Sequence, residues 1–193
     1  FSHKNGFKSN HDTFDGDQPT LAKYMQAAGY HTSVVGKWHL VSRPQGFDEY
    51  KILLGQGEYY NPNFTNGTDT VQETGYATTL ITDHALSVID RVKDSGKPFF
   101  MMLHHKAPHR NWMPELKHLQ AQEETAFPIH PTFHDNYENR SEAARIQDME
   151  IRNMYRSSDM KLPIFENDPG SGGMPGFDMA GHWKRNYERL TPE

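Results

Sequence analysis

Apolar positions early in the chain predict a helix that leads directly into a buried strand. Over residues 20–28 the apolar side chains recur at i, i+3, i+4 and i+7, with Thr20 as a candidate N-cap and Gly29 as the stop signal. The predicted apolar stripe of this helix consists of Leu21, Tyr24, Met25 and Ala28. The β-branched residues at 32–35 then predict a strand that ends at Gly36.

The same order of helix and strand returns later in the chain. Residues 77–94 have the strongest helical periodicity, Gly96 ends it, and the expected buried stripe is Ile81, Ala85, Val88 and Val92. Residues 99–103 are five apolar residues in succession, which predicts a strand covered on both faces. A helix followed by a buried strand, twice, indicates an α/β fold with crossover connections, in which ligands bind at the carboxyl ends of the strands.

The remaining segments carry weaker patterns. Residues 42–73 contain several Gly, Pro and Tyr and are expected to be loop-rich, and residues 163–193 are irregular by composition. Short helices are expected at 114–122 and 141–159. Because so few strands are predicted, we expect the chain to hold only part of an α/β sheet.

Composition narrows the possible functions. The 193 residues suit one ordinary domain, but the mean hydropathy of −0.86 is low for a domain that stands alone. The 20 Lys and Arg against 25 Asp and Glu give a net charge of −5, which argues against a general nucleic-acid partner. No run of about 18 apolar residues predicts a membrane span. The absence of Cys excludes disulfides, a thiolate nucleophile and Cys-ligated zinc within these residues.

Two cationic side chains follow the first predicted strand. The segment 29–40 reads Gly-Tyr-His-Thr-Ser-Val-Val-Gly-Lys-Trp-His-Leu, so Lys37 and His39 stand just beyond the strand at a spacing of two. Lys can hold an anionic oxygen, and His can donate or accept a proton near neutral pH. The spacing is common, and a surface Lys beside a structural His is the alternative interpretation.

A denser cationic segment follows the second predicted strand. Three His, one Lys, one Arg and one Trp lie within residues 103–114, and the candidates for ligand contact are His105, Lys106, His109, Arg110 and Trp112. Such a set suits an anion attached to a flat group, such as a sugar ring. A zinc site is an alternative because His105 and His109 are four apart, although Pro108 breaks any helix that would align them. The other alternative is a loop whose His residues only make hydrogen bonds and bind no ligand.

These segments resemble a known enzyme family. Residues 29–40 look like the second signature of the type I, formylglycine-dependent sulfatases, and residues 99–109 resemble the family's strand and loop that end on an active-site His. Residues 55–62 and 106–114 are similar to bacterial sulfatases that act on glycans, of the N-acetylglucosamine-6-sulfatase or mucin-desulfating type. The resemblance implies that residues 1–193 are an internal part of a sulfatase catalytic domain. It also implies an alkaline-phosphatase-like mixed sheet flanked by helices, incomplete in this chain.

The resemblance also implies roles for individual residues. Lys37 matches the Lys that bridges a sulfate oxygen and the nucleophile, and His39 matches the His that bonds the formylglycine hydroxyl. His109 matches the His on the leaving-group side, which serves as a sulfate ligand or as the general acid. The residues that would grip a sulfated hexosamine in a glycan are His105, Lys106, Arg110 and Trp112. Calcium and the formylglycine nucleophile are implied as cofactors, but neither a Cys-x-Pro-x-Arg nor a Ser-x-Pro-x-Arg motif occurs here. We therefore expect both groups to lie outside this chain and the chain alone to be inactive.

Two other functions remain open at this point. A phosphodiesterase or phosphonate hydrolase of the same superfamily would share the sheet and the cations. A non-catalytic glycan-binding fragment would share the loops but not the turnover. The character of the motifs also favours a bacterial, exported enzyme, periplasmic or extracellular.

Overall fold

A mixed sheet of five strands forms the framework of the computed structural model, which describes residues 2–147, 159 and 188. In chain order the described helices are α1 (Ser2–Asn5), α2 (Leu21–Ala27), α3 (Ala77–Val92) and α4 (Glu142–Arg145). The strands are β1 (His31–Lys37), β2 (Glu49–Leu53), β3 (Asn63–Thr65), β4 (Thr70–Gln72) and β5 (Phe99–His104). The chain divides into two compact units, one of residues 1–109 and 185–193, the other of residues 110–184. None of the described helices has the length and apolar character of a membrane span.

The sheet belongs to the first unit and has the strand order β4-β3-β2-β1-β5. Strand β1 pairs in parallel with both β2 and β5, whereas β3 is antiparallel to β2 and to β4. The two strands that precede the cationic segments therefore lie side by side in one sheet. The parallel pairs bring the carboxyl ends of β1, β2 and β5 to one edge of the sheet.

The long helix α3 closes one face of the sheet, as its periodicity predicts. Ile81, Ala85, Val88 and Val92 are all buried. Of these, Ile81, Val88 and Val92 pack into a core with Val35 of β1, Leu53 of β2 and Phe64 of β3. This burial of apolar surface at roughly 25 cal/mol per Å² stabilises the sheet that carries the site.

Helix α2 begins where the sequence predicts, but it packs differently. The Thr20 side chain accepts a hydrogen bond from the backbone N–H of Lys23 at 3.3 Å, which confirms the N-cap. The predicted apolar stripe is wrong, because Leu21 and Tyr24 are 62% and 64% exposed and Ala22 is the buried residue. A helix of two turns is too short for the apolar pattern to identify which face is buried.

One further expectation needs correction, and another needs an addition. Strand β5 is not covered on both faces: it lies at the end of the described sheet, and Phe99 and Leu103 are 42% and 43% exposed. Residues 42–73 are loop-rich as expected, but they also contain β2, β3 and β4. The latter two have three residues each, too few for a periodicity to be recognised among the Gly and Asn of their turns.

The described part of the second unit has little regular structure. Residues 114–122 contain a single 3-10 turn at Leu116–His118 rather than an α-helix. Helix α4 starts after Ser141 as predicted but ends at Arg145. The rest of the helix predicted to reach residue 159, apart from residues 146, 147 and 159, lies outside the described residues. The prediction for residues 163–193 lies outside them as well, except at residue 188.

Candidate active site

A close approach of two strands builds the site's edge of the sheet. Gly36 of β1 pairs with His104 of β5 and has φ +104°. A Cβ at position 36 would lie 1.9 Å from the His104 carbonyl oxygen, so only Gly fits. The His104 ring nitrogen Nδ1 in turn lies 3.1 Å from the carbonyl oxygen of Lys37, which ties the ends of the two strands together.

The chain turns sharply after β1 and directs His39 to the same edge. His39 has φ +49° and Val41 has φ +64°, both in the left-handed region, which a β-branched residue such as Val41 rarely adopts. The indole N–H of Trp38 anchors the turn by donating to the Ser42 carbonyl at 2.7 Å. Strained backbone of this kind concentrates at functional sites.

Lys37, His39, Lys106 and His109 form one group of Lys and His side chains, which we call the cationic cluster. Burial lowers the pKa of Lys37 from its usual 10.5. Burial also lowers the pKa of His39, and the nearby charges of Lys37, His109 and Lys106 lower it further. The segments that follow β1 and β5 therefore meet at one edge of the sheet. The low pKa of His39 keeps its imidazole neutral near pH 7, able both to donate and to accept a hydrogen bond.

Lys106 is the most buried member of the cationic cluster. It is 7% exposed, and its Nζ donates to the Gln56 backbone carbonyl at 3.2 Å. The same ammonium lies 4.9 Å from the centroid of the Tyr59 ring, a cation–π geometry. Burial, and then the charge of Lys37, lower the pKa of Lys106 to about 8, against the opposing charge of Glu58.

Two residues that the sequence did not single out hold the cationic cluster together. Gln56 accepts a hydrogen bond from the Lys37 Nζ at its side-chain oxygen, with a distance of 2.5 Å. Tyr59 is 4% exposed, and its hydroxyl donates to the His109 backbone carbonyl at 2.6 Å. Burial raises the pKa of this phenol to about 12, so it remains a donor. The signal in the sequence is Gly55-Gln56-Gly57, where two glycines with positive φ fix a turn at the end of β2.

The other candidates of the cationic segment have separate surroundings. His105 has a buried Nδ1 with no hydrogen-bond partner among the described residues. Arg110 and Trp112 belong to the second unit, where the Arg110 Nε lies 2.7 Å from an Asp159 carboxylate oxygen and Trp112 is 37% exposed. Contact of these side chains with a glycan stays a prediction.

A cleft of about 540 Å³ opens beside His39. Trp38, Arg43, Tyr50 and Leu54 are among its lining residues, and a volume of this size accommodates a sugar. The arrangement therefore combines positive charge for an anion with an adjoining cleft of mixed polarity. Within residues 2–147, 159 and 188, no group of three or more His, Asp or Glu has the geometry to hold a metal ion, and the zinc alternative has no support there.

Comparison with known proteins identifies relatives along most of the chain. The family model described as Sulfatase matches residues 1–157. An N-acetylglucosamine-6-O-sulfatase of Bacteroides thetaiotaomicron is 50% identical over 166 residues, covering 84% of this chain and 30% of that protein. The uncharacterized sulfatase YdeN of Escherichia coli is 32% identical over 138 residues, covering 54% of this chain and 25% of that protein.

Solved structures give the same picture of the fold. The structure of BT4656 in complex with its substrate D-glucosamine-2-N,6-O-disulfate matches with a TM-score of 0.79 and 44% identity, covering 100% of this chain and 38% of that one. The structure of Ps i-CgsB in complex with k-i-k-neocarrahexaose, at 23% identity and a TM-score of 0.54, shares the fold over 65% of this chain and 34% of that one. The chain thus spans between 25% and 38% of the length of these relatives, and its sheet is part of their larger α/β fold.

Proposed function

This chain belongs to the sulfatase family, and on that premise we propose that the protein hydrolyses sulfate esters of glycans, with 6-sulfated glucosamine as its substrate class. The relative that is 50% identical is an N-acetylglucosamine-6-O-sulfatase, and the related solved structure binds a glucosamine disulfate. The observation that carries the proposal is the cationic cluster at the carboxyl edge of β1 and β5. A sulfate ester is an anion, and this cluster of positive and proton-donating groups is suited to it.

We assign three roles within the cationic cluster. Lys37 donates to a sulfuryl oxygen and stabilises the charge that builds on it in the transition state. His109 protonates the sugar oxygen as the bond between oxygen and sulfur breaks, because an alkoxide is a poor leaving group. His39, neutral because of its lowered pKa, accepts the proton of the oxygen nucleophile that attacks sulfur, while His109 gives its proton to the departing sugar oxygen.

The family generally depends on calcium and a formylglycine nucleophile. Within the described residues no group could hold a metal ion, and neither a Cys-x-Pro-x-Arg nor a Ser-x-Pro-x-Arg motif occurs in the 193 residues. We therefore place the calcium ligands and the formylglycine nucleophile in residues of the full-length protein outside this chain. The roles given to Lys37, His39 and His109 are limited to sulfate binding and proton transfer.

The test is sulfate release from glucosamine 6-sulfate by the full-length protein, measured by ion chromatography. We expect Lys37→Ala to lower kcat/KM on the order of 10²–10³-fold, the usual cost of one charged donor to the transition state. Lys51→Ala is the matched control, because Lys51 lies on the adjacent strand β2 and pairs with Glu73 instead. Equal losses in the two variants, or faster release of phosphate from glucosamine 6-phosphate than of sulfate, would contradict the proposal.

A further inference from the structure

Gln56 bonds two lysines of the cationic cluster at once. Its side-chain carbonyl accepts from the Lys37 Nζ at 2.5 Å, and its backbone carbonyl accepts from the Lys106 Nζ at 3.2 Å. Gln56 lies in a turn whose backbone is fixed by its two glycine neighbours and by a hydrogen bond. Gly55 and Gly57 on either side have φ +53° and +71°, and the N–H of Gly57 closes the turn on the Leu54 carbonyl at 2.9 Å.

Lys106 is placed to hold this turn rather than to meet a ligand. Only 7% of its surface is exposed, and its ammonium is taken up by the Gln56 carbonyl and the Tyr59 ring. Tyr59 in turn donates to the backbone of His109. A continuous series of contacts therefore runs from Lys37 through Gln56, Lys106 and Tyr59 to His109.

We propose that Gln56 and Lys106 are positioning residues, which fix the ammonium of Lys37 relative to His109 and do not themselves bind the substrate. This inference rests on the proposed function, since it concerns the same sulfate site. It assigns Lys106 a different part from the one that the family resemblance suggests, where it would grip the glycan or a second anion.

The physical reason lies in the flexibility of a lysine side chain. Four methylene groups leave the Lys37 ammonium free to take many positions, and a hydrogen bond to the charged form selects one of them and favours protonation. Lys106 supplies no such preference directly, because its like charge repels Lys37. It acts by keeping the Gln56 turn in place. Lys37 interacts electrostatically with His39 and with Lys106, and the His104 ring lies against its backbone carbonyl. Of the next groups out, Glu58 acts on Lys106 and His109 acts on His39.

Two substitutions at position 56 test the role of the side-chain oxygen in the full-length protein. Gln56→Met keeps the length but removes the acceptor, and Gln56→Glu replaces it with a carboxylate. We expect the pKa of Lys37 to fall in Gln56→Met and to rise in Gln56→Glu, because the first loses a bond to the ammonium and the second adds an opposite charge. Competitive labelling of lysines with a trace acetylating reagent across pH, read by mass spectrometry, gives the pKa of Lys37 without any substrate.

Gln26→Met is the matched control, because Gln26 also makes a side-chain hydrogen bond, to Asp48 at 2.8 Å, on helix α2. We expect it to leave the Lys37 pKa unchanged. For catalysis, we expect Gln56→Met to lower kcat/KM for glucosamine 6-sulfate roughly ten- to a hundredfold, the range for a hydrogen bond to a charged group. The basic limb of its pH profile should move to lower pH together with the labelling midpoint.

Lys106→Met separates positioning from direct binding. If Lys106 acts through Gln56, we expect kcat/KM to fall by the same factor on glucosamine 6-sulfate and on the 2-N,6-O-disulfated sugar. A Lys106 that held the second sulfate would give a larger loss on the disulfated sugar, mainly in KM, and would overturn the inference.

The outcomes for the two proposals differ. An unchanged Lys37 pKa in both position-56 variants, with circular dichroism showing that they are folded, overturns the positioning role even where the wild type releases sulfate. If the Lys37 pKa shifts in the position-56 variants but the wild-type protein releases no sulfate, the positioning role is supported and the sulfatase proposal is contradicted.

Discussion

Replacing Gly36 by Ala perturbs the point where β1 and β5 come closest. The new Cβ would lie 1.9 Å from the His104 carbonyl oxygen, 2.8 Å from the carbonyl carbon and 3.3 Å from the Ile81 Cγ2 atom. The first contact is with backbone, so no side-chain rotation can relieve it. The two strands must separate, and Lys37 moves with the end of β1.

The cost has two parts that can be separated. An Ala at φ +104° costs roughly 1–2 kcal/mol for the left-handed backbone alone. Overpacking against strand β5 adds roughly 1–3 kcal/mol or more. The total of roughly 2–5 kcal/mol is a large share of the stability of a typical domain.

Gly29→Ala is the control that isolates the second part. Gly29 has φ +89°, but a Cβ there would meet nothing within 4 Å. We therefore expect Gly36→Ala to lower the apparent Tm and kcat/KM of the full-length protein clearly more than Gly29→Ala does, as measured by differential scanning fluorimetry and sulfate release. Equal losses in the two variants would refute the close approach of β1 and β5 as the reason for Gly36.

Three further predictions concern the leaving group, the sugar and pH. His109→Ala should lower kcat/KM more for glucosamine 6-sulfate than for an aryl sulfate, since a phenolate leaves with little protonation; equal losses would remove its role as an acid. Trp112→Ala should weaken glycan turnover and leave the aryl sulfate nearly unchanged, because an indole that is 37% exposed offers a flat apolar face to a sugar ring; parallel losses would mean that it supports the fold. The backbone N–H of Thr32 donates to the Asp48 carboxylate and lowers the pKa of that carboxyl below its usual 3.8. The bond therefore stabilises the fold above pH 3.8, and this stability is lost as the pH falls through the pKa of Asp48 in the folded protein. Urea midpoints from about pH 6 to about pH 3 should therefore fall less steeply in Asp48→Asn than in the wild type, and identical slopes would contradict this.

The sequence predicts those helices and strands whose hydrophobic pattern is long or whose ends are marked by a capping or stop residue. The periodicity of α3 runs over four turns, and its buried residues are those expected. Helix α2 has a side-chain cap that marks its start, but two turns are too few to show that Ala22 rather than Leu21 faces the sheet. The short strands β3 and β4 pair with each other across a turn of residues 66–69, but three residues each are too few for an alternating pattern to be recognised.

The cationic residues of the site could be found because they follow strands. Lys37 ends β1 and His109 lies in the loop after β5, and the parallel pairing of those strands brings the two segments to one edge. Gln56 and Tyr59 could not be found in this way, because a neutral amide and a phenol carry no charge pattern. Their part in the site depends on hydrogen bonds to Lys37 and to the His109 backbone, across 19 and 50 residues of sequence.

The central claim is that Lys37 and His109 hold one sulfate group between them. The most direct test is a crystal structure of the full-length protein with a 6-sulfated glucosamine bound. The account predicts sulfate oxygens about 3 Å from the Lys37 Nζ and from the His109 ring, with the sugar oxygen on the His109 side. A sulfate group bound elsewhere, with Lys37 and His109 contacting no ligand atom, would contradict it.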